Sequence, residues 1–188
     1  MIYDYSQPLP EAPLDEDSLA SVDAQAAMSL FDKARAAFQA NDFDTALDQI
    51  DGALRLVNSD PSMHEFRALA LFALGRYHDA AATVYAVLSS EPGMNWETMQ
   101  TLYSTPDAYT PQLRRLEAYT DGHPDEAGPQ FLLAYHYMSL GHLDRAAGLL
   151  QRVVALQPND KLSQTLLGSI DKSRTPAAEP NVPPAPAP

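Results

Sequence analysis

The chain contains no cysteine, which excludes a disulfide framework, a thiolate metal site and a cysteine nucleophile. Long apolar runs are also missing, because no stretch approaches the roughly 20 apolar residues of a membrane-spanning helix. The first residues, MIYDYSQPLPEAP, have neither the basic region nor the apolar region of a signal peptide. We therefore expect a cytoplasmic protein without direct membrane insertion, unless a targeting segment lies upstream.

Basic residues are scarce, since 12 lysines and arginines stand against 25 acidic residues, for a formal net charge of −13. Such a surface repels phosphate groups, so we expect no nucleic-acid partner. Residues 1–25 hold six acidic and no basic residues, and residues 175–188 hold one acidic residue and six prolines. The body of the chain is therefore only mildly acidic, and the proline-rich tail 175–188 is predicted to be disordered.

Catalytic and metal-binding motifs are absent from the sequence. The five histidines are scattered, and no H-E-x-x-H, G-x-S-x-G or glycine-rich phosphate loop occurs. Carboxylates are plentiful, but none stands in a motif that would pair it for acid–base chemistry. We therefore predict no enzymatic activity, no catalytic residue, no metal site and no cofactor.

Helical periodicity dominates the middle of the chain. Apolar residues recur at i, i+3, i+4 and i+7 in six segments, which are 28–38, 46–57, 63–74, 80–88, 131–140 and 146–156. No segment shows the sustained alternation of a strand, so the sequence predicts an all-α protein. Helix-breaking residues separate helices of about 12–15 residues by short connections, which favours antiparallel neighbours.

Three segments align without gaps and mark an internal repeat: NDFDTAL from Asn41, GRYHDAA from Gly75 and GHLDRAA from Gly141. Ala46 and Ala80 are 34 positions apart, and Ala80 and Ala146 are 66 positions apart. This pattern resembles the tetratricopeptide repeat family, whose units are pairs of antiparallel helices with a 34-residue period. The resemblance implies an α-α superhelical solenoid ending in a capping helix.

The resemblance also implies an organisation of the chain. It places a helical domain at 18–174, after an acidic, proline-containing leader at 1–17 and before the tail. The repeats fall at about 27–60, 61–94 and 127–160, and the capping helix at 160–173. Residues 95–126 do not match, and we interpret them as a degenerate repeat with Asn95 capping a short helix from Trp96 to Tyr103. A second helix is predicted after an N-cap at Thr110 and ends near Tyr119.

The first helix of each repeat lines a concave groove in this family. By that resemblance the groove of this chain, which binds a peptide or partner helix, is aromatic and apolar. Its predicted lining residues are Phe31, Arg35, Phe38, Glu65, Leu69, Phe72, Phe131, Tyr135 and Met138. The family's basic clamp for a C-terminal carboxylate is not supported, because Phe31, Glu65 and Leu69 stand where it would be. The same positions can also pack between repeats instead of meeting a partner.

Two further expectations concern unusual residues. Arg67 stands at a usually buried position, so its guanidinium must reach water or find a carboxylate. Residues 3–14 form an extended amphipathic stretch, which we hypothesise docks into the groove within the same chain.

The preferred function is that of a scaffold or adaptor whose partner is a protein or peptide with hydrophobic anchors. Two alternatives stay open: a small acidic chaperone for a secreted or membrane-assembled client, and a regulatory domain of a larger protein.

Overall fold

The computed structural model describes residues 19–174, and every regular element in that range is helical. The helices are α1 Leu19–Gln39, α2 Phe43–Leu56, α3 Pro61–Ala73, α4 Tyr77–Leu88, α5 Trp96–Gln100, α6 Tyr109–Gly122, α7 Ala127–Ser139, α8 Leu143–Leu156 and α9 Lys161–Arg174. A short 3-10 turn, Pro106–Ala108, precedes α6. The prediction of an all-α solenoid of helix pairs is confirmed, with α1–α2, α3–α4 and α7–α8 packed as pairs.

The turn inside each pair has the same backbone conformation in all three repeats. Asn41, Gly75 and Gly141 have φ angles of 61°, 76° and 76°. The next residue donates its backbone N–H across the turn to the helix before it, as in Asp42 N to Ala37 O at 2.9 Å and His142 N to Tyr137 O at 2.8 Å. This is the Schellman ending of a helix, which favours glycine or asparagine at the left-handed position.

Small side chains allow the two helices of a pair to approach closely. The alanines at the repeat positions are completely or almost completely buried; they are Ala34, Ala46, Ala68, Ala80, Ala134 and Ala146. Larger apolar side chains such as Ile50, Val84 and Leu150 fill the second helix of each pair. The core is therefore continuous from α1 to α9.

The stack passes directly from the second pair to the third. α2 packs against α3, α4 against α7 and α8 against α9, although residues 89–126 separate α4 from α7 in the sequence. The ring centroids of Tyr85 on α4 and Phe131 on α7 are 5.3 Å apart. Residues 95–126 therefore differ from a degenerate repeat placed in series, because the helix that follows α4 in the stack is α7.

The local predictions for residues 95–126 have mixed outcomes. The N-cap at Asn95 is confirmed, since its side chain accepts a hydrogen bond from Thr98 N at 2.9 Å. The short helix ends at Gln100 instead of Tyr103, because the chain turns there to pack Tyr103 against α1. The N-cap predicted at Thr110 is wrong, since α6 begins one residue earlier, directly after the 3-10 turn.

Arg67 finds a carboxylate, as expected. Its Nε lies 2.6 Å from Asp51 Oδ1, and its Nη1 donates to Thr83 Oγ1 at 3.1 Å. At the buried His64 nearby, Nε2 lies 2.8 Å from Asn58 O, so the ring links α3 to the loop before it. Burial lowers the pKa of His64 from its ordinary value.

The ends of the array lie at α1 and α9. Ile170 of α9 is buried against the core, and Leu162, Leu166 and Leu167 are partly buried there. Asp160 caps α9 by accepting from Ser163 N at 3.0 Å.

Within residues 19–174 no helix has both the length and the apolar character needed to cross a bilayer. The docking hypothesis for residues 3–14 and the prediction for tail 175–188 lie outside the described residues.

Candidate functional site

The nine predicted groove residues differ widely in exposure. Five are buried, namely Phe38, Leu69, Phe72, Phe131 and Tyr135. Phe31, Glu65 and Met138 are partly buried, and Arg35 is exposed. Most of these side chains therefore already have neighbours within the same chain, and their role in binding a partner stays a prediction.

The neighbours of the groove come largely from one segment, residues 94–112, which we call the strap. The strap contains α5, the 3-10 turn and the start of α6. Its Tyr103 ring lies 5.0 Å from the Phe38 ring of α1, and its Tyr109 ring lies 6.0 Å from the Phe72 ring of α3. Two strap tyrosines therefore sit on two groove phenylalanines that were predicted to meet a partner.

Burial of the strap is comparable to that of the repeats. Met99 is 1% exposed, Tyr109 is 2% exposed, and Leu102 and Tyr103 are each 7% exposed. The Tyr103 hydroxyl donates to Gln112 Oε1 at 2.7 Å, so this buried hydroxyl is satisfied within the strap. The rings of Trp96 and Tyr109 are 4.9 Å apart, which joins the two ends of the strap.

Polar contacts hold the beginning of the strap against α3 and α7. Met94 N donates to Glu65 Oε1 at 2.6 Å, and the Tyr135 hydroxyl donates to the same oxygen at 3.2 Å. Ser139 Oγ donates to Met94 O at 2.9 Å. Burial raises the pKa of Glu65, although both donors favour its charged form. Glu65, a predicted groove residue, therefore anchors the strap.

A tyrosine–histidine pair lies at the other end of the strap. The Tyr109 hydroxyl and His136 Nδ1 are 3.1 Å apart. Burial lowers the pKa of His136 to about 3, so the ring is neutral at pH 7 and shares one hydrogen bond with the hydroxyl. The other ring nitrogen, Nε2, is buried and has no hydrogen-bond partner among residues 19–174.

An open cleft remains where the strap begins. It has a volume of about 510 Å³ and lies between the end of α4, the loop after it, α7 and α9. Its apolar lining residues are Leu88, Pro92, Met94, Tyr135, Met138 and Leu166. Glu91 is the only charged residue among those that line it, and no lysine or arginine does. The cleft can therefore accept an apolar side chain, but it offers no cation to a carboxylate.

The remaining predicted residues lie apart from this cleft. Phe31 contacts Phe66 at 5.3 Å between ring centroids, and Arg35 lies over the Phe31 ring at 6.0 Å. Phe131 lines a second cleft, of about 410 Å³, between α4, α7 and α8. His78 Nε2 lies 3.0 Å from Glu126 Oε2 beside this second cleft. The structure therefore does not bring all nine residues together into one open groove.

Sequence reasoning missed the strap aromatics Trp96, Tyr103 and Tyr109. A signal was present, because the only tryptophan and three of the nine tyrosines fall in residues 95–126, the region that breaks the repeat pattern. Aromatic side chains of this size are usually buried, so their concentration in a supposed connection indicates docking against another surface. Residues 19–174 contain no cluster of histidines and carboxylates able to hold a metal ion.

Comparison with protein families gives two matches, both described as tetratricopeptide repeat. One covers residues 31–95 and the other residues 113–170. Residues 96–112, which form most of the strap, fall between the two matches. No curated protein matches the chain.

Several solved structures resemble the chain in fold. The second tetratricopeptide domain of human RPAP3, in complex with an HSP70 peptide, is 15% identical, with 81% of this chain and 98% of that chain covered and a TM-score of 0.35. The Arabidopsis OM64 domain is 13% identical, with 80% and 98% covered and a TM-score of 0.38. The Sgt2 domain of Aspergillus fumigatus is 15% identical, with 86% and 87% covered and a TM-score of 0.36.

Proposed function

The chain belongs to the tetratricopeptide repeat family, and on that premise we propose that its open cleft binds an apolar segment of a partner protein. Repeats of this family form a protein-interaction fold that is generally non-enzymatic. The finer proposal, a scaffold or adaptor without catalytic activity, agrees with the absence of a catalytic motif in the sequence. The observation that carries it is the cleft of about 510 Å³, which contains two predicted groove residues, Tyr135 and Met138.

The chemistry of the lining indicates the kind of segment that fits. Met94 and Met138 are flexible and polarizable, so they adapt to apolar side chains of different shapes. At the same cleft, the hydroxyl oxygens of Ser90 and Ser139 can still accept from a peptide backbone and the Asn95 amide nitrogen can still donate to one, although both hydroxyl protons and Asn95 Oδ1 are engaged within the chain. A partner with one or two large apolar anchors suits this arrangement, and an anionic chain end does not.

A matched pair of variants tests the cleft. Met138→Glu places a carboxylate in the apolar lining, whereas Met28→Glu places one on α1 outside this cleft, where Met28 is 50% exposed. We expect affinity capture with the wild-type chain and quantitative mass spectrometry to identify partners that Met138→Glu loses at least tenfold. Met28→Glu should retain them. Circular dichroism would check that both variants keep the helical fold.

Equal capture by both variants would contradict the cleft proposal. The composition of the captured material also separates the adaptor from the chaperone alternative. Several proteins in a stable complex support an adaptor, whereas a single client released on folding or assembly supports a chaperone.

A further inference from the structure

The strap is an addition to the repeat array, and the array does not depend on it for continuity. α4 packs directly against α7, with the Tyr85 and Phe131 rings 5.3 Å apart. The other connections between repeats contain four residues, 57–60 and 157–160, whereas 38 residues, 89–126, connect α4 to α7. The strap therefore covers a stack of repeats in which α4 and α7 contact each other without its participation.

Residues 94–108 of the strap lack a structure that would persist away from the array, whereas residues 109–112 form the first turn of α6. The regular elements inside 94–108 are a five-residue helix and a three-residue 3-10 turn. Helices this short are not stable in water, because the conformational entropy lost in forming the first turn exceeds the stabilisation from its hydrogen bond. The conformation of residues 94–108 therefore depends on docking, as that of a bound peptide does.

Aromatic contacts dominate the docking. Tyr103 packs on Phe38 and Tyr109 packs on Phe72, so two anchors contact two successive repeats. None of the ion pairs between described residues includes a strap residue. The surface beneath the strap is therefore suited to an aromatic, weakly charged segment.

The fit beneath the strap is incomplete. His136 Nε2 is buried and has no hydrogen-bond partner among the described residues, and the His136 ring lies 5.7 Å from the Tyr109 ring. A cavity of about 10 Å³ lies under Met94 and Met99, and His136 and Glu65 contribute to its lining. A buried polar atom left unpaired weakens the docked state. A competing segment with a polar group at this point would gain the hydrogen bond that the strap does not make.

We propose that the strap is a displaceable internal ligand of the concave surface, and that this surface accepts in its place a partner segment with two aromatic anchors and little charge. The proposal concerns Phe38 and Phe72, which do not line the open cleft, but Met94 and Asn95 at the start of the strap do, so displacement of the strap also removes one wall of that cleft. Displacement exposes both phenylalanines while the contact of α4 with α7 stays intact.

Native-state hydrogen exchange on the full chain tests whether the strap opens on its own. Leu102 N bonds to Met99 O and Ala108 N to Thr105 O, both at 3.1 Å, and these amides report on the strap. We expect them to exchange at least tenfold faster than the core amides of α2, α4 and α8. Exchange of strap and core amides at one common rate would overturn the proposal, because the strap would then open only with global unfolding.

Binding in trans tests what the exposed surface accepts. The probe is a fluorescent synthetic peptide with the sequence of residues 94–112, and the receptor is the full chain with Tyr103→Ala and Tyr109→Ala. We expect the probe to bind this variant at least tenfold more tightly than the wild type, whose own strap competes. A probe with alanine at both tyrosine positions should lose this binding.

Folding and self-association are checked in the same experiment. A chain with Tyr109→Ala alone is the milder receptor if the double variant loses its helical circular dichroism signal. Equal binding of both probes, or no binding by either folded receptor, would overturn the proposal. A wild-type dimer that dissociates when Tyr103 and Tyr109 are replaced would also overturn it, since a second copy would then be the occupant.

Discussion

The repeat pairs and the strap bury their side chains to similar extents, but for different reasons. In the repeats, Ala80 is completely buried between helices whose turn, cap and apolar stripe recur at the same spacing. In the strap, Tyr103 is 7% exposed, yet nothing in its five-residue helix or 3-10 turn fixes that position. The local sequence pattern therefore specifies the conformation of the repeats. The conformation of the strap is specified by the repeat surface on which it packs.

The repeats and the strap should therefore contribute differently to the stability of the domain and to the binding of a partner. A solenoid gains stability through contacts between neighbouring repeats, and here α4 and α7 already make that contact. The strap contributes aromatic burial on the first helices of two repeats, a face that the family resemblance predicts to be concave. Changes in the repeats should therefore affect the whole domain, and changes at the strap should act mainly on the concave surface.

The largest effect is expected from overpacking a repeat. Ala80→Trp inserts an indole where the exposed fraction of the side chain is 0%, so the free energy of unfolding should fall by about 3 kcal/mol, near the upper end of the usual range. Ala82→Trp, on the exposed side of the same helix, is the matched control and should change it by less than about 0.5 kcal/mol. Urea unfolding followed by circular dichroism measures both. Similar midpoints for the two variants would contradict the assigned register.

The repeat register could be predicted from the sequence because it depends on local features. The alanines at a 34-residue spacing, and the turn residues Asn41, Gly75 and Gly141, each have a steric reason to stand where they do. The same features place Phe38 and Phe72 on the first helix of their repeats. Even the exception Arg67 was predictable, since a buried guanidinium requires a carboxylate, and Asp51 supplies it.

The occupation of the groove could not be predicted in this way. Tyr103 meets Phe38 across 65 positions of sequence, and no periodic pattern links the two. The start of α6 at Tyr109 was also missed, because a 3-10 turn leads into the helix without a side-chain cap. Such contacts depend on tertiary packing, which a single sequence reveals only through its unexplained aromatic residues.

A smaller effect is expected from acidification, through the histidine beneath the strap. Burial lowers the pKa of His136 from 6.5 to about 3 in the folded chain, so below pH 6.5 the unfolded chain binds a proton that the folded chain excludes. The contribution of neutral His136 to the free energy of unfolding is therefore fully present above pH 6.5. It is lost as the pH falls toward 3, at up to about 1.4 kcal/mol per pH unit. Between pH 7 and 5 this amounts to about 2 kcal/mol.

The matched variant for this effect is His136→Gln, which does not titrate. Urea unfolding at pH 7 and pH 5 should show a smaller loss of stability for the variant than for the wild type. The lowered pKa of His64 acts in the same direction, and the raised pKa of Glu65 acts in the opposite direction, but both are present in both chains. An equal loss in the two chains would exclude His136 as the source.

The smallest effect is expected at the repeat turn, and its sign is the informative result. Gly141 has a φ of 76°, a conformation that costs an alanine about 1 kcal/mol, although a Cβ there would meet no atom within 4 Å. Gly148 lies in α8, where a Cβ would also meet no atom within 4 Å and where alanine is favoured by about 0.8 kcal/mol. Gly141→Ala should therefore lower the free energy of unfolding and Gly148→Ala should raise it, measured by urea unfolding. Changes of the same sign would contradict this explanation, because both positions have space for a Cβ and differ in backbone conformation, unlike Gly93, where a Cβ would lie 2.7 Å from Leu88 Cδ2 and 2.9 Å from Tyr135 Cε2.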